Sequence, residues 1–382
     1  GKSHIADPNG LELGNGVQMS SITSATVSEA IESYFASFTY EYDRRYHVMA
    51  NYRADGSSKF RKGRRWGHFG SVGFGWSMSN EQFLSDQDWF KDAKLRASWG
   101  MMGNQDVGMN LFEDQYSIEN MGGEVSYVWG YKGNPDLTWE RSQIFDLGLE
   151  FSINKYLEAE IDYFYKYTDN MLFPLYVAPS RGYTYMYNNG GAMENQGLEF
   201  EFKIHAVDKR NVKLDIRLNG AHYANKVKKL PKALDTEESS EMIENGGLIV
   251  GKSLYDYQMY EYAGVDPEEG TAQYKAYYDA DMGNFSENSN NEATAKIARG
   301  ETTGDNFISD VYMYQKEHPN ANIQETVTGS TSYAGYNFVG KSAIPALDGG
   351  FGFDLEVYGV SLSASFSYRI GGYGYDYQYQ RL

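Results

Sequence analysis

The sequence predicts an all-β fold, an antiparallel transmembrane β-barrel with short turns at one rim and long loops at the other. Three observations lead there. Apolar and polar residues alternate with a period of two over many short runs, so each run has two unlike faces. Short turns between paired runs alternate with long polar connections, the asymmetry of membrane barrels. The 382 residues include 34 Tyr, 20 Phe, 6 Trp and 41 Gly against 8 Pro, a mixture suited to many strands joined by turns rather than to helices.

The runs follow in order. From Ile31, the residues Tyr34, Ala36, Phe38, Tyr40 and Tyr42 share one face, with Ser33, Ser37, Thr39 and Glu41 on the other. Asp43 and Arg44 turn the chain, and Tyr46, Val48, Ala50 and Tyr52 repeat the pattern against His47, Asn51 and Arg53. Val72, Phe74, Trp76 and Met78 make the next run, and Leu95, Ala97, Trp99 and Met101 the one after. Phe145, Leu147, Leu149 and Phe151 pass through Asn154 and Lys155 into Leu157, Ala159, Ile161, Tyr163 and Tyr165. Leu198, Phe200, Phe202 and Ile204 pass through 208–210 into Val212, Leu214, Ile216 and Leu218. Phe351, Phe353, Leu355 and Val357 turn at Tyr358 and Gly359 into Val360, Leu362, Ala364, Phe366, Tyr368 and Ile370. A pair with poorer alternation, Tyr255 to Gly264 and Ala272 to Tyr278, turns at 266–270 and brings the expected count to roughly twelve strands.

Long polar stretches at 55–67, 104–141, 168–196 and 224–253 alternate with the short turns. The link 80–92 is the exception, which parity places on the short-turn side. The organisation read from this is a strand or loop lead-in over 1–30, a barrel wall with external loops over 31–373, a long polar loop over 281–345 within it, and an end at 374–382 that trails off in Tyr, Gly and Gln. Gly1 to Asn9 lack the charged and apolar regions of a signal peptide, so an exported protein would have its true N-terminus elsewhere.

Composition narrows the function. A formal net charge of −18 argues against a nucleic-acid partner, because phosphate binding needs clustered Lys and Arg. Absence of cysteine removes disulfides and thiolate metal sites, and the 6 scattered histidines share no zinc spacing. No run of about 18 apolar residues is present, which excludes transmembrane helices. A mean hydropathy of −0.59 does not exclude membrane strands, which need only about 9–11 alternating residues.

Two stretches match the phosphate-loop pattern, Gly246 to Ser253 and Gly335 to Ser342, with Lys252 and Lys341 in the lysine position. Neither stands between a buried strand and a helix, so nucleotide binding is not expected. Asp279, Asp281, Asn284 and Glu287, with Asn290 and Glu292, offer hard oxygen ligands to calcium in one loop, though without EF-hand spacing; a solvated acidic loop is the commoner explanation. Glu158, Glu160 and Asp162 fall on one strand face and suit a polar lumen better than acid–base catalysis. No serine sits in a nucleophile elbow, and neither an enzyme nor a cofactor is expected. The candidate lipid-facing belt is Phe38, Tyr40, Phe74, Trp76, Leu149, Phe200 and Phe366, while Tyr183, Tyr185 and Tyr187, with Arg181, are loop candidates for substrate or lid contact.

Several phrases resemble SusC/RagA-type TonB-dependent outer-membrane transporters. They are RADGSSKF from Arg53, RRWGHFGSVGFGWSMSNEQFL from Arg64, KLRASWGMMGNQ from Lys94, NPDLTWERSQIFDLGLEF from Asn134, DYFYKYTDNML from Asp162, NNGGAMENQGLEFEF from Asn188, YEYAGVDPEEG from Tyr260 and GGFGFDLEVYGVSLSASFSYRIGG from Gly349. Together they reach from about 31 to 373. The resemblance implies a Gram-negative outer-membrane barrel of about 22 strands, of which this chain holds a part, with the plug domain and final strands outside it. It also implies TonB-energised uptake of an oligosaccharide or peptide, a SusD-like lipoprotein as lid, and contact with outer-membrane lipid. The rival from another class is a β-rich surface adhesion or binding protein, which would alternate without meeting lipid.

Overall fold

The computed structural model describes residues 3–5, 16–18, 28–85, 87, 89–121, 124–176, 182–183, 185–231, 242–243, 248–280 and 308–376. Its centre is one ten-stranded antiparallel sheet. The strands are β1 (Ile31–Tyr42), β2 (Tyr46–Ser57), β3 (Trp66–Ser77), β4 (Phe90–Asn104), β5 (Glu140–Ile153), β6 (Leu157–Asp169), β7 (Ala192–Lys209), β8 (Val212–Lys229), β9 (Pro345–Val357) and β10 (Val360–Gly371). Each lies beside its predecessor, so the sheet is a meander from β1 to β10. All are longer than the roughly 9–11 residues with which a tilted strand crosses a bilayer, and β7 and β8 have 18 residues each.

Alternation becomes geometry through the register, because residues directly opposite one another point the same way. One rung runs unbroken across all ten strands: Tyr42, Tyr46, Trp76, Leu95, Leu149, Ile161, Phe200, Gly220, Gly349 and Tyr368. The rung one residue over carries the opposite chemistry: Glu41, His47, Gly75, Arg96, Gly148, Asp162, Glu199, Ala221, Asp348 and Arg369. The sheet therefore has an aromatic and aliphatic face and a charged one, with two glycines in each of these rungs. Among the described residues no second layer covers the apolar face, and Phe38, Tyr40, Phe74 and Phe366 are 59, 51, 43 and 51 % exposed.

The short connections all lie at one edge. Asp43 and Arg44 take positive φ, 53° and 52°, and Tyr358 and Gly359 take 49° and 84°, the backbone of tight hairpin turns whose twist matches the strands. The 80–92 link sits at this edge, as parity required. Its Met78–Asn80 and Gln82–Ser85 helical turns pack on the first hairpin, where Asn80 Nδ2 donates to Arg44 O at 2.7 Å.

The structure corrects the strand count. Tyr262–Val265 and Ala272–Asp279 do pair, yet they join Ile323–Thr328 in a separate three-stranded sheet, and Asp256–Tyr260 pairs with Tyr336–Ser342 in another. The wall has ten strands rather than twelve, because β8 pairs directly with β9 from Val212↔Val357 to Ala221↔Asp348. The stretch expected as a polar loop at 281–345 contains a helix, Val311–Glu317, whose N-terminus is capped by Asp310 accepting from Met313 N at 3.0 Å. It also contains two of the strands just named, Ile323–Thr328 and Tyr336–Ser342.

Candidate functional site: a two-faced wall and its loop rim

All seven candidate belt residues lie on the apolar face. Trp76, Leu149 and Phe200 stand in the rung that crosses every strand, and Phe38, Tyr40, Phe74 and Phe366 are even steps from it on their own strands. Packing along this face is aromatic. Phe351 and Phe366 stack at 4.9 Å, and the Phe200 ring lies over Gly220, where a Cβ would stand 2.6 Å from it.

On the other face, Arg96 of β4 organises the acids. Its guanidinium pairs with Glu150 and Glu160 and reaches Asp162 at 3.0 Å. Gly148 makes this crossing possible, since a Cβ there would run into Asp162 Oδ1 and stand 2.9 Å from Arg96 Nη2. Arg217 with Asp354, at 3.1 Å, and Arg369 with Asp348, at 3.0 Å, continue the pairing toward β10. His205 sits between Glu158 and Asp215 at 3.1 and 2.7 Å. Glu158, Glu160 and Asp162 are thus each paired on the charged face, Glu160 and Asp162 with Arg96 and Glu158 with His205.

At the long-loop edge, three connections are knotted together. Phe60, Phe69, Val107, Leu137 and Trp139 form a buried cluster, with Trp139 Nε1 donating to Arg65 O at 2.7 Å. Asn189 ties two connections at once: its Oδ1 accepts from Thr138 N at 2.8 Å, and its Nδ2 donates to Thr138 O and Asn170 O, both at 2.9 Å. Gln115–Met121 and Glu124–Tyr131 form a hairpin on this rim. Beside it, the Gly133 N–H and the Lys132 ammonium hold the Asp114 carboxyl below the usual carboxylate range.

The loop tyrosines singled out for substrate or lid contact belong to this rim. Tyr183 meets Trp129 at 5.8 Å, Tyr185 and Tyr187 meet Tyr131 at 5.7 and 6.5 Å, and Tyr116 stacks on Trp129 at 6.2 Å. Lys132 Nζ lies 5.3 Å from the Trp129 ring centre. Sequence reading missed Tyr116, Trp129 and Tyr131; the clue available to it was the alternation of Tyr127, Trp129 and Tyr131 in one short run, while Tyr116 stands alone in its own. Burial pushes the Tyr131 hydroxyl above its ordinary value. Arg181 lies outside the described residues.

Of the calcium candidates, Asp279 is 6 % exposed; one carboxylate oxygen accepts from Tyr314 OH at 3.0 Å and the other from Asn322 N at 3.1 Å, so it ties strand to helix. Asp281, Asn284 and Glu287 lie outside the described residues. The phosphate-loop matches resolve into aromatic clasps. Lys252 Nζ lies 4.2 and 4.6 Å from the Tyr312 and Phe338 ring centres, and Lys341 Nζ lies 4.4 Å from that of Tyr373. Gly251, at φ +95°, lets the chain turn beneath Tyr312, where a Cβ would meet the hydroxyl at 2.6 Å.

Known proteins share this architecture. The family model described as TonB dependent receptor-like, beta-barrel matches residues 4–253. The chain is 30 % identical over 241 residues to TonB-dependent receptor P39 of Formosa agariphila, covering 62 % of this chain and 23 % of that one. It is 28 % identical over 237 residues to TonB-dependent receptor SusC of Bacteroides thetaiotaomicron, covering 59 % and 24 %. The matched region thus spans about a quarter of the length of these curated relatives. The RagAB peptide importer in its closed-closed state shares the fold at a TM-score of 0.69 and 24 % identity, over 94 % of this chain and 36 % of that one. With a two-faced ten-stranded meander, short turns at one edge and a family match over more than half its length, the chain belongs to the TonB-dependent receptor-like β-barrel family of the outer membrane and is similar within it to SusC.

Proposed function

We propose that this chain is part of the wall and loops of a TonB-dependent importer that carries a nutrient, an oligosaccharide or a peptide, across the outer membrane. The observation that carries the reading is the pair of adjacent rungs, one apolar from Tyr42 to Tyr368 and the next charged from Glu41 to Arg369. A single-layer sheet with that polarity suits lipid outside and a watery lumen inside, because apolar surface left in water costs about 25 cal/mol per Å². In this reading the belt residues Phe38, Tyr40, Phe74, Trp76, Leu149, Phe200 and Phe366 meet outer-membrane lipid. Residues 31–373 form the wall with its external loops, and a plug and closing strands come from other parts of a longer polypeptide, through which TonB acts. The loop edge, with Tyr183, Tyr185, Tyr187 and Arg181, faces the outside, where cargo and a SusD-like lipoprotein lid are met. No covalent chemistry is assigned to the wall.

Positions 38, 74, 149, 200 and 366 can each carry a spin label on a single introduced cysteine, in a full-length protein cleared of any cysteine outside these 382 residues, which contain none. In bilayers all five labels should be relaxed by dissolved oxygen and shielded from a water-soluble nickel chelate. Labels that meet the chelate, or that are hidden from both reagents between packed sheets, would sink the wall reading in favour of a surface-binding β protein.

A further inference from the structure

Along the short-turn edge the strands are joined by turns of two or three residues, except between β3 and β4, where the chain runs through residues 78–89. This link is tied to the wall at both ends. Its Glu81 carboxylate accepts from Tyr46 OH at 2.5 Å and from Trp76 Nε1 at 3.1 Å, and both donors belong to the apolar face. At the far end Trp89 O accepts from Asn154 N in the β5–β6 turn at 2.6 Å. The link is thereby drawn to the apolar side of the edge.

Two of its rings carry the apolar face onward. Phe83, on the Gln82–Ser85 helical turn, is 61 % exposed and lies 6.4 Å from the Trp76 ring. Trp89 is 52 % exposed and lies 5.4 Å from the Phe90 ring, which in turn stacks on Phe151 of the apolar face at 5.6 Å. Both rings therefore stand on the side away from the charged face, where nothing held inside a barrel could cover them. Polar groups border them. Trp89 Nε1 donates to Gln87 Oε1 at 3.1 Å, and the exposed Arg44 guanidinium, in the hairpin turn whose backbone Asn80 holds, has no partner among the described residues. Rings continuous with an apolar belt and edged by polar groups are the pattern of a membrane–water interface, where one end of each group is dry and the other wet.

The charges say which headgroup fits. Residues 78–89 contain Glu81, Asp86 and Asp88 and neither Lys nor Arg, so the unpaired cation beside the link is that of Arg44. Acids next to one free guanidinium match a headgroup that bears both an ammonium and a phosphate, rather than one that is only anionic. We propose that the β3–β4 link is an interfacial anchor lying in the headgroup layer of the periplasmic leaflet, with Phe83 and Trp89 at the acyl boundary and Arg44 on the phosphate of a zwitterionic, ammonium-bearing phospholipid. This rests on the wall reading and adds a partner at its edge. A belt of successive apolar rungs tolerates vertical drift, whereas a segment lying in the plane of the interface resists it.

The test places an NBD fluorophore on a single introduced cysteine at position 83, 89 or 149 of the full-length protein, cleared of other cysteines. The vesicles are of phosphatidylcholine and phosphatidylethanolamine, with acyl chains brominated either near the headgroup or near the chain end. Both link positions are exposed, and heat-modifiable migration on gels checks that each variant folds. Labels at 83 and 89 should be quenched at least about twofold more by shallow than by deep bromines, and the belt label at 149 the reverse. Arg44→Asn, a residue that tolerates the φ of 52° at this position, should lower the shallow quenching at 83 by about half. Exchange of phosphatidylethanolamine for phosphatidylglycerol should lower it too; a rise would assign the link to anionic lipid and overturn the headgroup proposed. Link labels reached by aqueous iodide and by neither bromine overturn the anchor, as do labels hidden from all three quenchers, which would mean that another part of the polypeptide covers the link. Deep quenching stronger than shallow at 83 and 89 overturns it as well, by making these residues ordinary belt, and quenching at 83 indifferent to Arg44→Asn overturns the phosphate contact. If the label at 149 is still quenched by lipid when the link labels meet only water, the wall reading stands while this one falls; a label at 149 that faces water removes both.

Discussion

The two edges of the sheet are built by different means. At the short-turn edge the backbone does the joining: Ser77 N donates to Arg45 O, Asn154 N to Trp89 O, His205 N to Tyr156 O and Tyr358 N to Asn211 O, at 2.6 to 2.9 Å, so neighbouring turns are tied together. Glu81 adds one side-chain clasp, accepting from Tyr46 OH at 2.5 Å, Arg45 Nη1 at 2.9 Å and Trp76 Nε1 at 3.1 Å. At the loop edge side chains do the joining, through the Phe60–Trp139 cluster and the bonds of Asn189 and Trp139 to distant backbone. Backbone stitching tolerates many side chains at the turns. The loop knot depends on a few particular ones, so substitutions should hurt far more there.

Four substitutions test that contrast. Trp139→Ala should be the most damaging, costing roughly 3–5 kcal/mol through the cavity it leaves. Urea unfolding of the full-length barrel measures it, and no change would mean that the knot holds nothing together. Asn189→Ala strips partners from one backbone N–H and two carbonyls, and should cost roughly 1–3 kcal/mol, seen as faster amide exchange at Thr138, whose N–H loses its acceptor. Lys252→Met removes a cation from two rings and should cost about 1 kcal/mol; exchange within Val311–Glu317 should quicken while the knot stays protected.

The smallest effect belongs to the turn edge. The Tyr46 hydroxyl, then the Trp76 N–H and the Arg45 guanidinium, hold the Glu81 carboxyl below the usual carboxylate range. A carboxylate with a depressed folded-state pKa stabilises above its unfolded value, and that stabilisation fades as pH falls through the folded one. Amide exchange at Ser77 and Asn80 should therefore rise slightly as the solution is acidified below the ordinary glutamate range, and Glu81→Gln should flatten the response. A wild-type profile as flat as the variant's would show that the clasp is idle.

The wall was legible because its faces meet unlike surroundings. Ile161 beside Asp162, or Phe200 beside Glu199, records that difference residue by residue, and even the turns at Asp43 and Tyr358 were visible. Tyr262–Val265 and Ala272–Asp279 lie in a small sheet on the loop side, where no such contrast need be encoded, so their alternation is poor and the count overshot by one hairpin. The rim was harder to read, because its contacts join residues far apart in the chain: Trp129 to Tyr183, and Thr138 to Asn189. The Gly-Lys-Ser matches carry little for a related reason. A short pattern fixes neither what the lysine faces, here Tyr312 and Phe338, nor what its glycine must avoid.

The strictly sequential strand order also bears on the time course of folding. From β1 to β8 each strand can zip onto the one before it with a modest connection to close. Between Lys229 and Pro345 the chain makes its longest excursion before β9 returns to β8. Closing a longer loop costs only about 0.6 kcal/mol per doubling of length, yet it must be met before any of the β8–β9 ladder forms. The β9–β10 hairpin should then be the last part of this sheet to gain protection in a pulse-labelled refolding experiment, and protection of β9 before β8 would reverse that order.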